Sequence, residues 1–174
     1  MAPHILVAYT SRKGSTAEIA LAVAKELEKS GAAVTIAEMT TISSLEEYNA
    51  VVIGVPVYTG KVARDVAIFA RRHREALSRL PVAGFVTGIA PVYPKTGETT
   101  VFTTQLADAL SPAKPVAVTM FAGKLDTARL SLIERGMTSL LKVPTGDFRD
   151  WVTIALWARD LPGKMGFSSP VQKR

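Results

Sequence analysis

The chain has 174 residues, 48% hydrophobic and 21% charged, which suits one globular domain with a sizeable core and excludes a disordered chain. It has no cysteine, which removes disulfides, thiol nucleophiles and cysteine-ligated metals or clusters. A formal net charge of +6 admits nucleic acid, an anionic membrane surface or an acidic partner. The cations are scattered, however, apart from Arg71-Arg72-His73-Arg74 and Lys173-Arg174. The first knot falls on a predicted helix, where a solvated face is the plainer reading, and no nucleic-acid motif stands beside it.

The chain enters a strand-like run at Ile5 with no basic leader or cleavage pattern, and no apolar run is long enough to span a membrane, so a cytoplasmic protein is expected. Ile5 to Tyr9 forms the first strand. Ser15 to Lys29 follows as a helix, with Ile19, Val23 and Leu27 on one face and Gly31 as its stop. Ala33 to Ala37 and Ala50 to Ile53 are the second and third strands. Arg64 to Leu77 is a helix that turns Val66, Phe69, Ala70 and Leu77 inward. Val82 to Thr87 is the fourth strand, Thr99 to Leu110 a helix, and Pro115 to Met120 the fifth strand. Residues 121–146 depart from the alternation, with a helical stretch from Arg129 to Leu141 and a turn at Val143-Pro144-Thr145-Gly146. Asp147 is the expected N-cap of the last helix, paired with Asp150. The domain is expected to end at residue 162, with 163–174 a loose tail.

Strands this apolar must be covered on both faces, which predicts an α/β fold: a doubly wound, five-stranded parallel sheet of order 2-1-3-4-5 with helices on both sides. Ligands then sit beyond the carboxyl ends of the strands. After the first strand comes Thr10-Ser11-Arg12-Lys13-Gly14-Ser15-Thr16, opening the first helix. A helix N-terminus offers unpaired N–H groups and a positive dipole end, Gly14 permits a sharp turn, and the hydroxyls and two cations suit a phosphate. A well-capped helix start is the bland alternative. Neither G-x-G-x-x-G nor G-x-x-x-x-G-K-[ST] is present.

With its hydroxyl-rich loop Ser11-Arg12-Lys13-Gly14-Ser15-Thr16 after the first strand, the chain resembles the flavodoxin-like family, whose members hold the phosphate of FMN there. Charged residues at Arg12-Lys13 depart from flavodoxins proper and are similar to the protoporphyrinogen oxidase subgroup. Val51 to Lys61, Lys124-Leu125-Asp126 and Gly146 to Trp151 also look like segments of that subgroup. The resemblance implies FMN as cofactor and two further flavin loops. Pro56-Val57-Tyr58-Thr59-Gly60 would carry Tyr58 as a stacking face and Gly60 as a peptide free to turn toward the ring. Thr87-Gly88-Ile89-Ala90 with Tyr93 would lie along the ring edge, Tyr93 either stacking or covering the loop. Lys124 and Arg129, in the segment that shapes the substrate side of that subgroup, are candidates for anionic substrate groups, with surface charge as the simpler reading. Trp151 and Trp157 are expected to pack on the core. His4 and His73 are expected to be structural or exposed, not metal ligands.

The resemblance implies an FMN-dependent oxidoreductase that passes electrons from a porphyrinogen to a quinone. The alternative is a non-catalytic electron carrier serving a redox partner. A third option is another small organic acceptor. Carriers of this kind tend to be acidic. The basic charge tilts away from that role and permits peripheral contact with an anionic membrane. A phosphoryl-receiver domain would want an acidic residue where Gly54 stands, and a phosphatase of this topology would need a cysteine in the first loop.

Overall fold

A computed structural model describes residues 2–168. The strands β1 (His4–Tyr9), β2 (Ala33–Glu38), β3 (Ala50–Tyr58), β4 (Lys61–Val62), β5 (Val82–Gly88) and β6 (Ala117–Ala122) form the main sheet. Its order is β2-β1-β3-β5-β6, parallel throughout, with β4 folded back antiparallel on the end of β3. The five parallel strands thus adopt the expected order. Ile5, Leu6, Val7 and Ala8 of β1, and Ala50 to Ile53 of β3, are fully buried. Such unbroken apolar runs require cover on both faces, and they have it.

On one face, α1 (Ser15–Lys29) and α6 (Trp151–Lys164) pack Ile19, Val23, Leu27, Ile154, Ala158 and Leu161 against Ile5, Val7, Val52 and Phe85. On the other, α2 (Asp65–Arg72), α3 (Arg74–Arg79) and α4 (Thr99–Ala109) set Phe69, Leu77, Phe102 and Leu106 against Leu6, Val51, Ile53 and Val86. The helix α5 (Leu132–Leu140) lies after β6, between the short antiparallel strands β7 (Lys124–Leu125) and β8 (Gly146–Asp147).

Several expected boundaries shift, each for a physical reason. The single helix expected over 64–77 is two, because His73 leaves helical dihedrals (φ −110°, ψ 23°) and turns its ring into the core, 4.7 Å from that of Phe69. The inward residues Val66, Phe69, Ala70 and Leu77 are nevertheless all buried. Arg71, Arg72 and Arg74 are exposed, as a solvated face requires. β3 runs on through Pro56 to Tyr58, and β6 starts two residues later than expected. The helix expected from Arg129 begins at Leu132, because Ser131 caps it and Glu134 completes a capping box. The last helix is capped by Asp150, whose carboxylate accepts from the Thr153 N–H and hydroxyl, and not by Asp147, which β8 and Arg149 claim. That helix reaches Lys164, and Met165 is buried beyond it. The rest of the expected tail, residues 169–174, lies outside the described residues. Trp157 packs edge-on against Phe85 and Phe121, whereas Trp151 is 44% exposed and stacks with Arg149.

Gly54 is fixed by packing. It is the register partner of Phe85, whose ring fills the space a Cβ on Gly54 would take. Overpacking of this kind costs about 1–3 kcal/mol. Gly54→Ala should therefore lower stability by about that amount in urea titrations, and Phe85→Leu should restore part of it in the double variant. Equal stability of wild type and Gly54→Ala would reject this packing role.

Candidate cofactor-binding site

The carboxyl ends of β1, β3, β5 and β6 open into one cleft of about 980 Å³. This is where an open parallel sheet places its ligand. All the predicted site residues line it except Thr10, Ser11 and Gly14. The walls are largely apolar, with Val57, Ile89, Phe102, Met120, Met137 and Leu141 among them.

The loop after β1 is built in two layers. Thr10 is buried and donates its hydroxyl to Asp65 at 2.7 Å, so it braces the loop against α2 from below. The Ser11 Oγ accepts from the Gly14 N–H, closing the turn on itself. Gly14 has φ 87°, a left-handed conformation that suits glycine, and caps α1 without any side-chain acceptor. The first N–H groups of α1 are therefore left for something else to satisfy. Thr16 is buried and pairs with the Thr87 hydroxyl at 2.7 Å, joining the start of α1 to the end of β5.

The loop after β3 is a tight hairpin. Tyr58 pairs with Lys61, and Thr59 (φ 48°) and Gly60 (φ 76°) between them are both left-handed, as a type I′ turn demands. Positive φ is uncommon for a β-branched residue, so Thr59 holds local strain at the cleft rim. Gln105 of α4 accepts from the Val62 N–H and pins the hairpin. The Arg12 guanidinium lies over the Tyr58 ring, 4.5 Å from its centroid. One face of Tyr58 is thereby occupied.

The segment after β6 forms a roof. Gly123 donates its N–H to Gly88 and sits so close to Ser15 that a Cβ there would press on the hydroxyl at 3.3 Å. Glu134 in α5 accepts from the Ser131 N–H at 2.9 Å, from Lys13 Nζ at 3.2 Å and from the Tyr58 hydroxyl at 3.1 Å. The Ser131 N–H first, then Lys13, holds its carboxyl below the usual range. Arg129 donates to the Lys13 carbonyl at 2.8 Å and packs against Gly14. Lys13 returns a bond to the Arg129 carbonyl, and the Tyr93 hydroxyl donates to the Leu141 carbonyl. Tyr93 thus reaches the roof, which the sequence left open. Glu134 was missed as a site residue, although Ser131-x-x-Glu134 carries the local signature of a capping box. No group of three or more metal-ligating His, Cys, Asp or Glu residues occurs among the described residues.

A family model described as a flavodoxin domain matches residues 6–151. The chain belongs to the flavodoxin family. It is 25% identical, over 90% of its length and 93% of the relative's, to protoporphyrinogen IX dehydrogenase [quinone] of Escherichia coli strain K12. Among solved structures, it is similar to a flavodoxin variant from Pseudomonas aeruginosa, at a TM-score of 0.58 and 12% identity over 94% of this chain and 99% of that one. It is also similar to a Fusobacterium nucleatum flavodoxin mutant bound to flavin mononucleotide (TM-score 0.53, 15% identity, 69% of each chain). Rubredoxin oxygen:oxidoreductase of Desulfovibrio gigas matches at a TM-score of 0.54 and 18% identity, over 94% of this chain, which spans 37% of that protein's length.

Within this flavodoxin fold, Arg149 ties the roof strand β8 to α1. Its side chain is 6% exposed and bonds to both Asp147, at 2.6 and 2.8 Å, and Glu18 of α1. The bonds from Arg149 bring Asp147 down from 3.8 to about 2 and also lower Glu18, while Arg149 itself is raised, chiefly by Asp147. A carboxyl depressed in the fold stabilises it above its unfolded pKa and loses that contribution as pH falls through the folded value. Urea titrations from about pH 5 down to about pH 2 should therefore show stability falling with pH, and Arg149→Met should flatten that slope. An unchanged slope in Arg149→Met would show that the pair does not set the carboxyl's affinity for protons.

Proposed function

We propose that the chain binds FMN in this cleft and works as an FMN-dependent oxidoreductase, taking electrons from a protoporphyrinogen-type substrate and passing them to a quinone. The uncapped N-terminus of α1 carries the reading. Its first N–H groups have no side-chain acceptor at Gly14, and Arg12, Lys13 and Arg129 bring positive charge to the same loop. That combination favours a phosphate dianion. The apolar walls, with Tyr58 on one side and the small residues Gly88 and Ala90 on the other, suit a flat ring system.

FMN would supply the redox chemistry. The protein's part is to bind and orient. Ser15 and the first N–H groups of α1 would take the phosphate end, with Ser11 and Gly14 shaping the turn beneath it. Thr16 and Thr87 would stiffen the floor through their shared hydrogen bond. Gly60, with open space where a Cβ would stand, leaves the hairpin peptide free to turn toward the ring. The roof favours an enzyme over a simple carrier, because residues 123–147 cover the cleft with apolar side chains instead of leaving a ring edge open. Lys124, exposed beside the roof, is available to an anionic substrate group. Arg129 serves the phosphate loop through the Lys13 carbonyl. No helix among the described residues is long and apolar enough to cross a membrane, so contact with a quinone-bearing bilayer would be peripheral, and the net charge of +6 favours it.

A visible spectrum taken before and after FMN addition tests the cofactor, and oxidation of protoporphyrinogen with a menaquinone analogue tests the activity. Two flavin bands and quinone-dependent turnover are expected. FMN binding without turnover would leave an electron carrier, and absence of binding would end the redox reading. Gly14→Val should weaken FMN binding about tenfold or more, since a side chain there is strained at φ 87° and meets Arg129. Tyr58→Ala should shift the flavin absorption and reduction potential, and a variant unchanged in both would reduce Tyr58 to a packing role.

A further inference from the structure

The roof helix α5 faces the wrong way for water. Only Glu134 and Thr138 of its nine residues are even half-buried, and both are polar. Its apolar residues are left uncovered: Leu132 is 84% exposed and Ile133 77%, both away from the cleft, while Leu140 at 82% and Met137 at 58% lie along the cleft mouth. At helical spacing these four share one face. Glu134 bonds to Lys13 and Tyr58 and so holds the helix on the body, while Arg135 bonds to the carbonyls of Thr127 and Ala128 in the preceding turn. A contiguous, outward aliphatic face of this kind marks a docking surface.

We propose that this face of α5 seats on an anionic lipid bilayer, with Leu132, Ile133 and Leu140 entering the headgroup boundary. This deepens the peripheral contact proposed above by naming its surface, and it stands whether or not the cleft holds FMN. Charge selects the occupant. Lys142, just past the helix, and Arg135, exposed although it bonds to the Thr127 and Ala128 carbonyls, carry positive charge on the same segment, and neither has a carboxylate within ion-pair reach among the described residues. Lipid phosphates complement them. A second copy would bring the same cations together between two molecules of net charge +6. The face is aliphatic, without the aromatic anchors that mark protein-binding hot spots. It also adjoins the cleft. Met137, Leu140 and Leu141 line that cavity while remaining exposed, so a lipophilic molecule could pass from bilayer to cleft along one apolar path.

Sedimentation with phosphatidylcholine vesicles, with and without phosphatidylglycerol, tests this on the FMN-free chain. Binding should require phosphatidylglycerol and weaken as salt rises. Leu132→Ser combined with Ile133→Ser should lower the partition coefficient about tenfold or more, and Lys142→Glu should lower it too. Neither Leu132 nor Ile133 lines the cleft, so FMN affinity and thermal midpoint of the double variant should match wild type and show that it is folded. Failure to bind the anionic vesicles would overturn the proposal, as would equal binding by the double variant. So would self-association in vesicle-free solution that the same double variant abolishes. An FMN titration that fails while vesicle binding succeeds would sink the cofactor reading alone.

Discussion

One carboxylate decides how the cleft is closed. Glu134 completes the capping box of α5 and at the same time accepts a hydrogen bond from each of two other segments, from Lys13 in the loop after β1 and from Tyr58 at the end of β3. Without it, the helix would lose part of its N-terminal cap and its attachment to the body in one step. The attachment is polar and exposed, and α5 contributes no buried residue to either core cluster. Exposed ion pairs contribute little to stability and are screened by salt. Helix α5 is therefore held in place by a few directed bonds and not by burial, the condition under which a segment opens locally while the rest of a domain stays folded.

The floor is the opposite case. The ends of β1, β3 and β5 are set by a sheet buried on both faces, and Phe85 locks the middle of it by occupying the space left by Gly54. Hydroxyl pairs then carry that rigidity up to the loops. Thr10 to Asp65 joins the first loop to α2, and Thr16 to Thr87 joins α1 to β5. Buried and half-buried hydrogen bonds of this kind are costly to leave unmade, so they fix loop positions more firmly than surface contacts do. The cleft thus combines a floor fixed by burial with a helix above it held by surface bonds.

The floor was legible in the sequence and the roof was not, and the reason is the range of the interactions. Continuous apolar runs at Ile5 and Ala50 announce strands covered on both sides, and the Ile19, Val23, Leu27 stripe announces a helix facing them. These are local patterns with local causes. Asp147 and Asp150 both look like helix caps. The choice between them depends on Arg149 and on the pairing of β7 with β8, which brings Leu125 beside Gly146. The bend at His73 likewise depends on a ring finding space beside Phe69 in the core. Arg12 lies over Tyr58 only because the loops after β1 and β3 meet. The capping box at Ser131 was visible in the residues, but the two further partners of Glu134 were not, since they come from positions more than seventy residues away along the chain.

Periodicity also shows which stripe of a helix is apolar without showing where that stripe points. In α1 the stripe faces the sheet, as it does in most surface helices. In α5 the polar stripe faces the body, because Lys13, Tyr58 and the backbone of the preceding turn offer it hydrogen-bonding partners, and the apolar stripe is left uncovered, part of it at the cleft mouth and part on the exterior. Water alone does not favour that arrangement. The same polar contacts that close the cleft thus create the apolar exterior, and any apolar phase that covered α5 would stabilise the closed roof. Cleft closure and the docking proposed above would in this sense be a single equilibrium, coupled through the two sides of one short helix.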